Sequence, residues 1–215
     1  MIVKYKSYWR KTGLKKEWGD LFLKIVAEHK PKHFLEIGVF CGVTARNVCE
    51  LLEKIHGEKF QYTGVDLFGS DSSNKFNEKE PNYLKEQKFS NPLKNIYYNF
   101  FKKENLNSEK SVSNFLAKFS KNVKLLKGNS NKILQNIRLD AVDFAFIDGG
   151  HSFETVWNDI NNVFKNIKRG GIIICDDYKD ATYITGVQEG VDKFVKEKKL
   201  KLEIIKGRFA KIIKE

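Results

Sequence analysis

Two hydrophobic periods alternate along this chain. Between residues 19 and 29, Leu21, Phe22, Ile25 and Val26 fall on one helical face, and Pro31 ends the helix. Residues 34–37 then read as a first buried strand, closed by the glycine turn 38–42. Thr44 is placed to cap a helix running to about Ile55, with Val48, Leu51, Leu52 and Ile55 facing inward. A second strand covers 60–65 and ends in Asp66. After a break the alternation resumes: helix 109–120, strand 123–126, short helix 130–137, strand 141–147, helix 152–168, strand 172–175 and helix 185–198. The tail reads as two strands, 200–205 and 208–213, joined at Lys206-Gly207. Helices alternating with apolar runs predict a doubly wound, Rossmann-like α/β fold. Its sheet is mostly parallel and seven-stranded, with an antiparallel C-terminal hairpin.

The break is the stretch 67–110, polar, rich in Asn and Lys and interrupted by Pro81 and Pro92. It carries Phe89, Tyr97, Tyr98, Phe100 and Phe101, more aromatics than a disordered insertion holds. We read it as a helical lid with partial disorder at 69–82; a plain surface insertion fits the same residues. Residues 1–18 form a basic, aromatic arm ahead of a single domain spanning 19–215. Lys4, Lys6, Arg10, Lys11, Lys15 and Lys16 alternate there with Tyr5, Tyr8, Trp9 and Trp18, and the expectation is a solvated arm.

Composition changes this picture little. At 41% hydrophobic and 31% charged residues, the chain is an ordinary globular one. No apolar stretch approaches the ~20 residues of a membrane span, and the first residues lack the apolar core of a secretory signal. A cytoplasmic protein with no membrane partner is expected. The net charge of +12 raises the question of nucleic acid, but the lysines are spread along the whole chain and make no binding stripe. Cys41, Cys49 and Cys175 are odd in number and lack metal-ligand spacing, so reduced thiols are expected.

The chemistry gathers where strands end. Asp148-Gly149-Gly150-His151 follows one apolar run and Asp176-Asp177 the next. Open α/β sheets build their sites at such ends. Carboxylates brought together there repel one another unless protons or a hard cation neutralise them. On the other half, Glu36-Ile37-Gly38-Val39-Phe40-Cys41-Gly42 lets a backbone approach a ligand closely at a helix start. Its spacing lacks the third glycine of the nicotinamide fingerprint. Asp66 suits the hydroxyls of a ribose. Gly128-Asn129-Ser130 sits where an adenine could be contacted, although Asn and Ser also cap helices.

The ordered set FLEIGVFCGVT, YTGVDLF, KLLKGNS, DFAFIDGGHSFE and KRGGIIICDDY resembles class I S-adenosylmethionine-dependent methyltransferases. The branch it resembles most is the metal-dependent O-methyltransferases of the macrocin and cephalosporin-hydroxylase-like type, distant relatives of catechol O-methyltransferase. That resemblance implies S-adenosylmethionine bound through Glu36, Gly38, Gly42 and Asp66, and Asn129, Ser130 and Asp148 complete the expected cofactor site. It further implies a metal held by Asp148, Asp176 and Asp177, with His151 as general base.

The residues support that chemistry independently. Sugar hydroxyls and phenols are largely protonated at neutral pH, so methylation of their oxygen needs the proton removed. An all-carboxylate site selects Mg²⁺, with Mn²⁺ or Ca²⁺ as alternatives. An imidazole is suited to take the proton. The expected activity is Mg²⁺-dependent O-methylation of a sugar or glycoside bearing vicinal hydroxyls, with homo-oligomerisation left open. A catechol-type acceptor is the alternative substrate. A nicotinamide oxidoreductase would leave Asp148, His151, Asp176 and Asp177 without a role. An RNA-binding or scaffold protein retaining the cofactor fold is the non-enzymatic alternative, and predicts affinity falling steeply with salt.

Overall fold

The computed structural model describes residues 4–69, 87–137, 139, 142–179 and 185–215. Among these, α1 (Lys16–His29), β1 (His33–Ile37), α2 (Val43–His56) and β2 (Gln61–Asp66) follow in order. The inserted stretch contributes α3 (Pro92–Ile96) and a π-turn at Tyr97–Phe101, and α4 (Glu109–Phe115) resumes the alternation at its end. Then come β3 (Val123–Lys127), α5 (Ser130–Asn136), β4 (Val142–Ile147), α6 (Phe153–Asn166), β5 (Ile167–Cys175) and α7 (Thr185–Lys198). The chain closes with β6 (Leu202–Ile205) and β7 (Phe209–Ile213).

The seven strands lie in the order β3-β2-β1-β4-β5-β7-β6. Strands β1 to β5 pair in parallel, and β7 runs antiparallel between β5 and β6. This is the expected Rossmann-like sheet with its antiparallel hairpin. A parallel strand covered on both faces must be apolar on both, and β1 and β4 show it. Phe34, Phe144 and Phe146 meet Phe22 of α1 and Phe209 of β7 on one face. Leu35, Ile37, Ala145 and Ile147 meet Ile160 of α6 and Phe194 of α7 on the other. The strand order reverses between β1 and β4, so the ends of β1, β2, β4 and β5 converge on one edge.

Several boundaries differ from the sequence reading: Gly42, not Thr44, caps α2, and the helix expected over 109–120 ends at Phe115, followed by a 3-10 turn at Ala117–Phe119. Helix α1 begins at Lys16 and takes in the end of the arm. Strand β5 begins at Ile167, where a turn was expected at Arg169-Gly170-Gly171. Ile167 pairs with Val142 across a register shift, and the Gly170 and Gly171 backbone exchanges hydrogen bonds with Lys214. The glycines belong to a bulged strand.

The arm is packed down. Tyr5, Arg10 and Leu14 are buried, while Lys4, Lys6, Lys15 and Lys16 face water. The Tyr5 hydroxyl bonds Thr12 and Thr44, and Asn47 takes both backbone groups of Lys6. The four lysines are solvated as expected, but Arg10 is not: it is buried with Tyr5 and Leu14, while Trp9 stays exposed. The described part of the insertion packs on the glycine turn, where Phe89, Tyr98 and Leu106 enclose Cys41. The stretch expected to be partly disordered, 69–82, lies outside the described residues except for Gly69. Among the described residues, no helix is long and apolar enough to cross a membrane.

Candidate functional site

Strand β1 delivers the chain to Gly38, whose amide donates to Val65 O at 2.9 Å while Asp148 N donates to Ile37 O at 2.8 Å. The glycine turn is thereby fixed between β2 and β4. Gly38 has φ +90°, and an added Cβ would overlap the Asp148 backbone carbonyl, so only glycine allows this approach. Gly42, at φ +74°, starts α2.

Glu36 lies buried beneath this turn, accepting a hydrogen bond from the Tyr62 hydroxyl. Burial pushes its pKa up to about 8, with the Tyr62 bond opposing the rise. Asp66 closes β2 and accepts from the amides of Phe40 at 2.8 Å and Phe68 at 2.6 Å. Burial raises its pKa, and these amides offset part of the rise. The Val39 amide bears on the carboxylate as well, which leaves one of its four lone pairs for a ligand. Asn129 caps α5, its side chain accepting from Asn131 N at 2.9 Å, and Ser130 is the first helical residue. Asn131 is 6% exposed, and neither its Nδ2 nor its Oδ1 has a hydrogen-bond partner among the described residues. Sequence reasoning stopped one residue short of it.

The second half of the site comes from β4 and β5. Their register pairs Ile147 with Cys175, so Asp148 and Asp176 leave the sheet side by side. One carboxylate oxygen from each of Asp148, Asp176 and Asp177 lies within 4.8 Å of the others. His151 Nε2 stands 3.6 Å from Asp177 Oδ2. Ile147, Gly149, Cys175 and Val187 join Asp148, His151 and Asp176 in lining the hollow there. Gly13 of the arm passes over it: a Cβ at that position would sit 3.7 Å from Asp148 Oδ2.

The electrostatics are those of a crowded anion site. Burial raises the Asp148 pKa well above the usual carboxylate range, and Asp176 and Asp177 push it further. Asp176 is also raised, by burial first. Burial acts on Asp177 too, but the His151 contact and the Arg208 guanidinium outweigh it and leave the pKa lowered. Arg208 donates to Asp176 through Nε at 2.6 Å and Nη2 at 2.7 Å, and Nη2 lies 3.2 Å from Asp177 Oδ1. With all three carboxylates ionised, one guanidinium leaves the cluster with the charge a divalent cation would cancel. The donor set, oxygen throughout, fits a hard ion such as Mg²⁺. Burial pushes the Cys41 thiol up to about 12 and raises Cys49 and Cys175, so none of the three is an activated nucleophile.

Arg208 escaped the sequence reading, which placed Arg10 only among the charges of a solvated arm. One signal was available: the chain has 39 basic residues and only five are arginine. Where lysine is the default, arginine marks a need for its planar fork. Arg10 donates to Cys41 O, Leu106 O and Ser111 Oγ, and Arg46 to Glu50 and Phe115 O.

A family model described as a methyltransferase domain matches residues 35–178, from β1 through the Asp176-Asp177 pair. The chain belongs to this methyltransferase-domain family. Solved structures agree in fold. The O-methyltransferase NovP superposes with a TM-score of 0.66 at 16% identity, over 92% of this chain and 81% of NovP. An O-methyltransferase from Bacillus cereus, in complex with S-adenosylhomocysteine, gives 0.61 at 13% identity over 97% and 86% of the two chains. TomG from Streptomyces achromogenes, in complex with S-adenosylmethionine, gives 0.58 at 13% over 94% and 82%. A curated relative, uncharacterized protein R132 of Acanthamoeba polyphaga mimivirus, is 39% identical over 56 residues. That match spans about a quarter of each protein, 26% of this chain and 25% of R132.

Proposed function

We propose that this methyltransferase-domain chain is an S-adenosylmethionine-dependent O-methyltransferase of the metal-dependent, macrocin-like branch. Its acceptor is a sugar or glycoside hydroxyl with a neighbouring hydroxyl. The observation that carries the reading is the meeting of Asp148, Asp176 and Asp177 within 4.8 Å, with His151 3.6 Å from Asp177. When bound, S-adenosylmethionine supplies the electrophilic methyl group, and Mg²⁺ supplies the Lewis acidity that eases loss of the hydroxyl proton.

The residues divide that work. Asp148, Asp176 and Asp177 would hold the cation, and His151 accepts the hydroxyl proton at the nitrogen facing the cluster. Gly38 and Gly42 let the methionine end of the cofactor approach the backbone closely, above the buried Glu36. Asp66 keeps accepting capacity for a ribose hydroxyl. Asn129 and Ser130 shape the start of α5, while Asn131 offers an unpaired donor and acceptor of the kind that reads an adenine edge. The insertion and arm keep water from the transfer.

A phenolic acceptor is the second reading. Trp9 and Tyr97, with ring centroids 5.4 Å apart, and the exposed Phe100 and Phe101 favour it, since they bring an aromatic surface to the segment packed on the glycine turn. Calorimetry with S-adenosylhomocysteine, with and without Mg²⁺, followed by an acceptor screen of glycosides and dihydroxyphenyl compounds, tests both. Absence of S-adenosylhomocysteine binding would end the proposal, and methylation of catechols alone would select the second reading.

A further inference from the structure

Arg208 stands in the turn joining β6 to β7, and the sheet topology explains why an arginine from the tail reaches the site. Strand β7 is antiparallel to β5 with Ile172 opposite Ile213 and Cys175 opposite Ala210. Continued past the strand end, that register sets Arg208 opposite Asp177. Only an antiparallel strand brings its leading residue to the C-terminal end of β5, where the acidic cluster lies. The backbone is anchored as well: Arg208 O accepts from Tyr178 N at 2.9 Å, and Arg208 N donates to Ile205 O at 3.2 Å.

The side chain is held by two sets of contacts. Its guanidinium carbon lies 5.5 Å from the centroid of Trp18, whose ring packs edge-on against Phe209 at 6.0 Å. The guanidinium also meets both oxygens of Asp176, which is 3% exposed, and one oxygen of Asp177. A bidentate fork fixes the plane of a carboxylate, which a lysine cannot do. The fork uses one lone pair of each oxygen; the Asp177 amide takes the second on Oδ1 at 2.9 Å, so Oδ2 is the oxygen that keeps one for a metal. The backbone at Asp177 is in the left-handed region, φ 55°, so the side chain is turned out of the strand alternation and needs something to hold it.

We propose that Arg208 is the positioning residue of the acidic cluster, fixing Asp176 and Asp177 so that their free lone pairs and Asp148 face one divalent cation. This rests on the metal reading of the site given above. It carries a sign that a purely electrostatic role would not. A cation that merely neutralised the carboxylates would compete with a metal, and its removal would tighten metal binding. A positioning residue does the reverse, and losses of about 10–100-fold in metal affinity are usual for such outer partners.

The experiment uses the full chain and Mn²⁺, with binding read by calorimetry and by loss of the free-ion electron paramagnetic resonance signal. S-adenosylhomocysteine affinity is measured on the same samples. Arg208→Ala is expected to weaken Mn²⁺ binding about 10–100-fold, and Arg208→Lys to recover only part of it. S-adenosylhomocysteine affinity measured without metal should be unchanged. If the alanine form does not fold, Arg208→Lys and Arg208→Gln carry the comparison. Unchanged or tighter Mn²⁺ binding in these variants overturns the positioning role. Asp176→Asn separates the two levels. If it abolishes Mn²⁺ binding while the Arg208 variants bind normally, only the positioning role fails. If the wild-type chain binds no Mn²⁺, or Asp176→Asn binds it as well as wild type, the metal reading fails and the role falls with it.

Discussion

A buried carboxyl has to be neutralised, and neighbouring residues here use three different means. Glu36 does it by holding a proton against the Tyr62 hydroxyl, Asp66 by taking backbone amides, and Asp176 by taking an arginine fork. Glu36 gives a pH signature. Its folded pKa, about 8, lies above its ordinary value of 4.5, so between the two the folded state keeps a proton that the unfolded state has lost. The stability it contributes is therefore fully present below about pH 4.5 and is lost as pH rises through about 8. Glu36→Gln cannot ionise and still accepts the Tyr62 hydrogen bond. Its melting temperature relative to wild type should be near zero difference at pH 5 and positive by pH 8.5. A constant difference across that range would mean that Glu36 is not the group responsible. His151 makes the catalytic counterpart. His151→Ala should slow methyl transfer by roughly 10²–10⁴-fold, with S-adenosylhomocysteine affinity unchanged by calorimetry. A few-fold loss, equal at every pH, would remove it as the base.

At the scale of elements, the arm and the insertion are one construction. Arg10 joins them, donating through Nε to Cys41 O in the glycine turn and through Nη2 to Leu106 O and Ser111 Oγ beyond it. It is 8% exposed and stacks at 4.5 Å over the Phe115 ring. Removing it strands two buried carbonyls and frees the turn from the insertion. Arg10→Ala should cost on the order of 2–5 kcal/mol and weaken S-adenosylhomocysteine binding, while Arg10→Lys should recover only part of the stability. Thermal melts and calorimetry on the three proteins check this; a melting temperature unchanged from wild type would return the arm to solvent. The elements themselves were readable because each parallel strand announces itself by an apolar run and each covering helix by its 3.6-residue period. The arm was not. Its lysines dominate the sequence, and the burial of Tyr5 and Leu14 depends on Thr44, Asn47 and α1, which only the tertiary fold brings to them. The start of β5 was also hidden, because Arg169-Gly170-Gly171 has the composition of a turn and becomes strand only through its pairing with Lys214.

At the scale of the molecule, the same division governs the site. Asp148, His151, Asp176 and Asp177 were legible because two adjacent parallel strands end in them, so local sequence already sets their meeting. Arg208 was not, since its arrival depends on the order β5-β7-β6 and an antiparallel register. Asn131 is set apart from the capping Asn129 by lying buried inside the helix with no side-chain partner among the described residues, which composition does not announce. This arrangement also separates folding from metal. Both cores are apolar and lie under the sheet faces, and the acidic cluster sits at the strand ends outside them. Stripping divalent ions with EDTA should therefore abolish turnover while the far-ultraviolet circular dichroism is retained, and Mg²⁺ should restore activity. Binding adds stability by mass action alone, about 2.7 kcal/mol at a hundredfold excess over Kd. For a chain of this size that is roughly 5–10 °C in melting temperature. An increment that grows with the logarithm of Mg²⁺ concentration, and vanishes in Asp148→Asn, would locate the ion at the cluster. Unfolding by EDTA would instead make the ion structural, and turnover indifferent to EDTA would leave Arg208 as the only cation that the three carboxylates need.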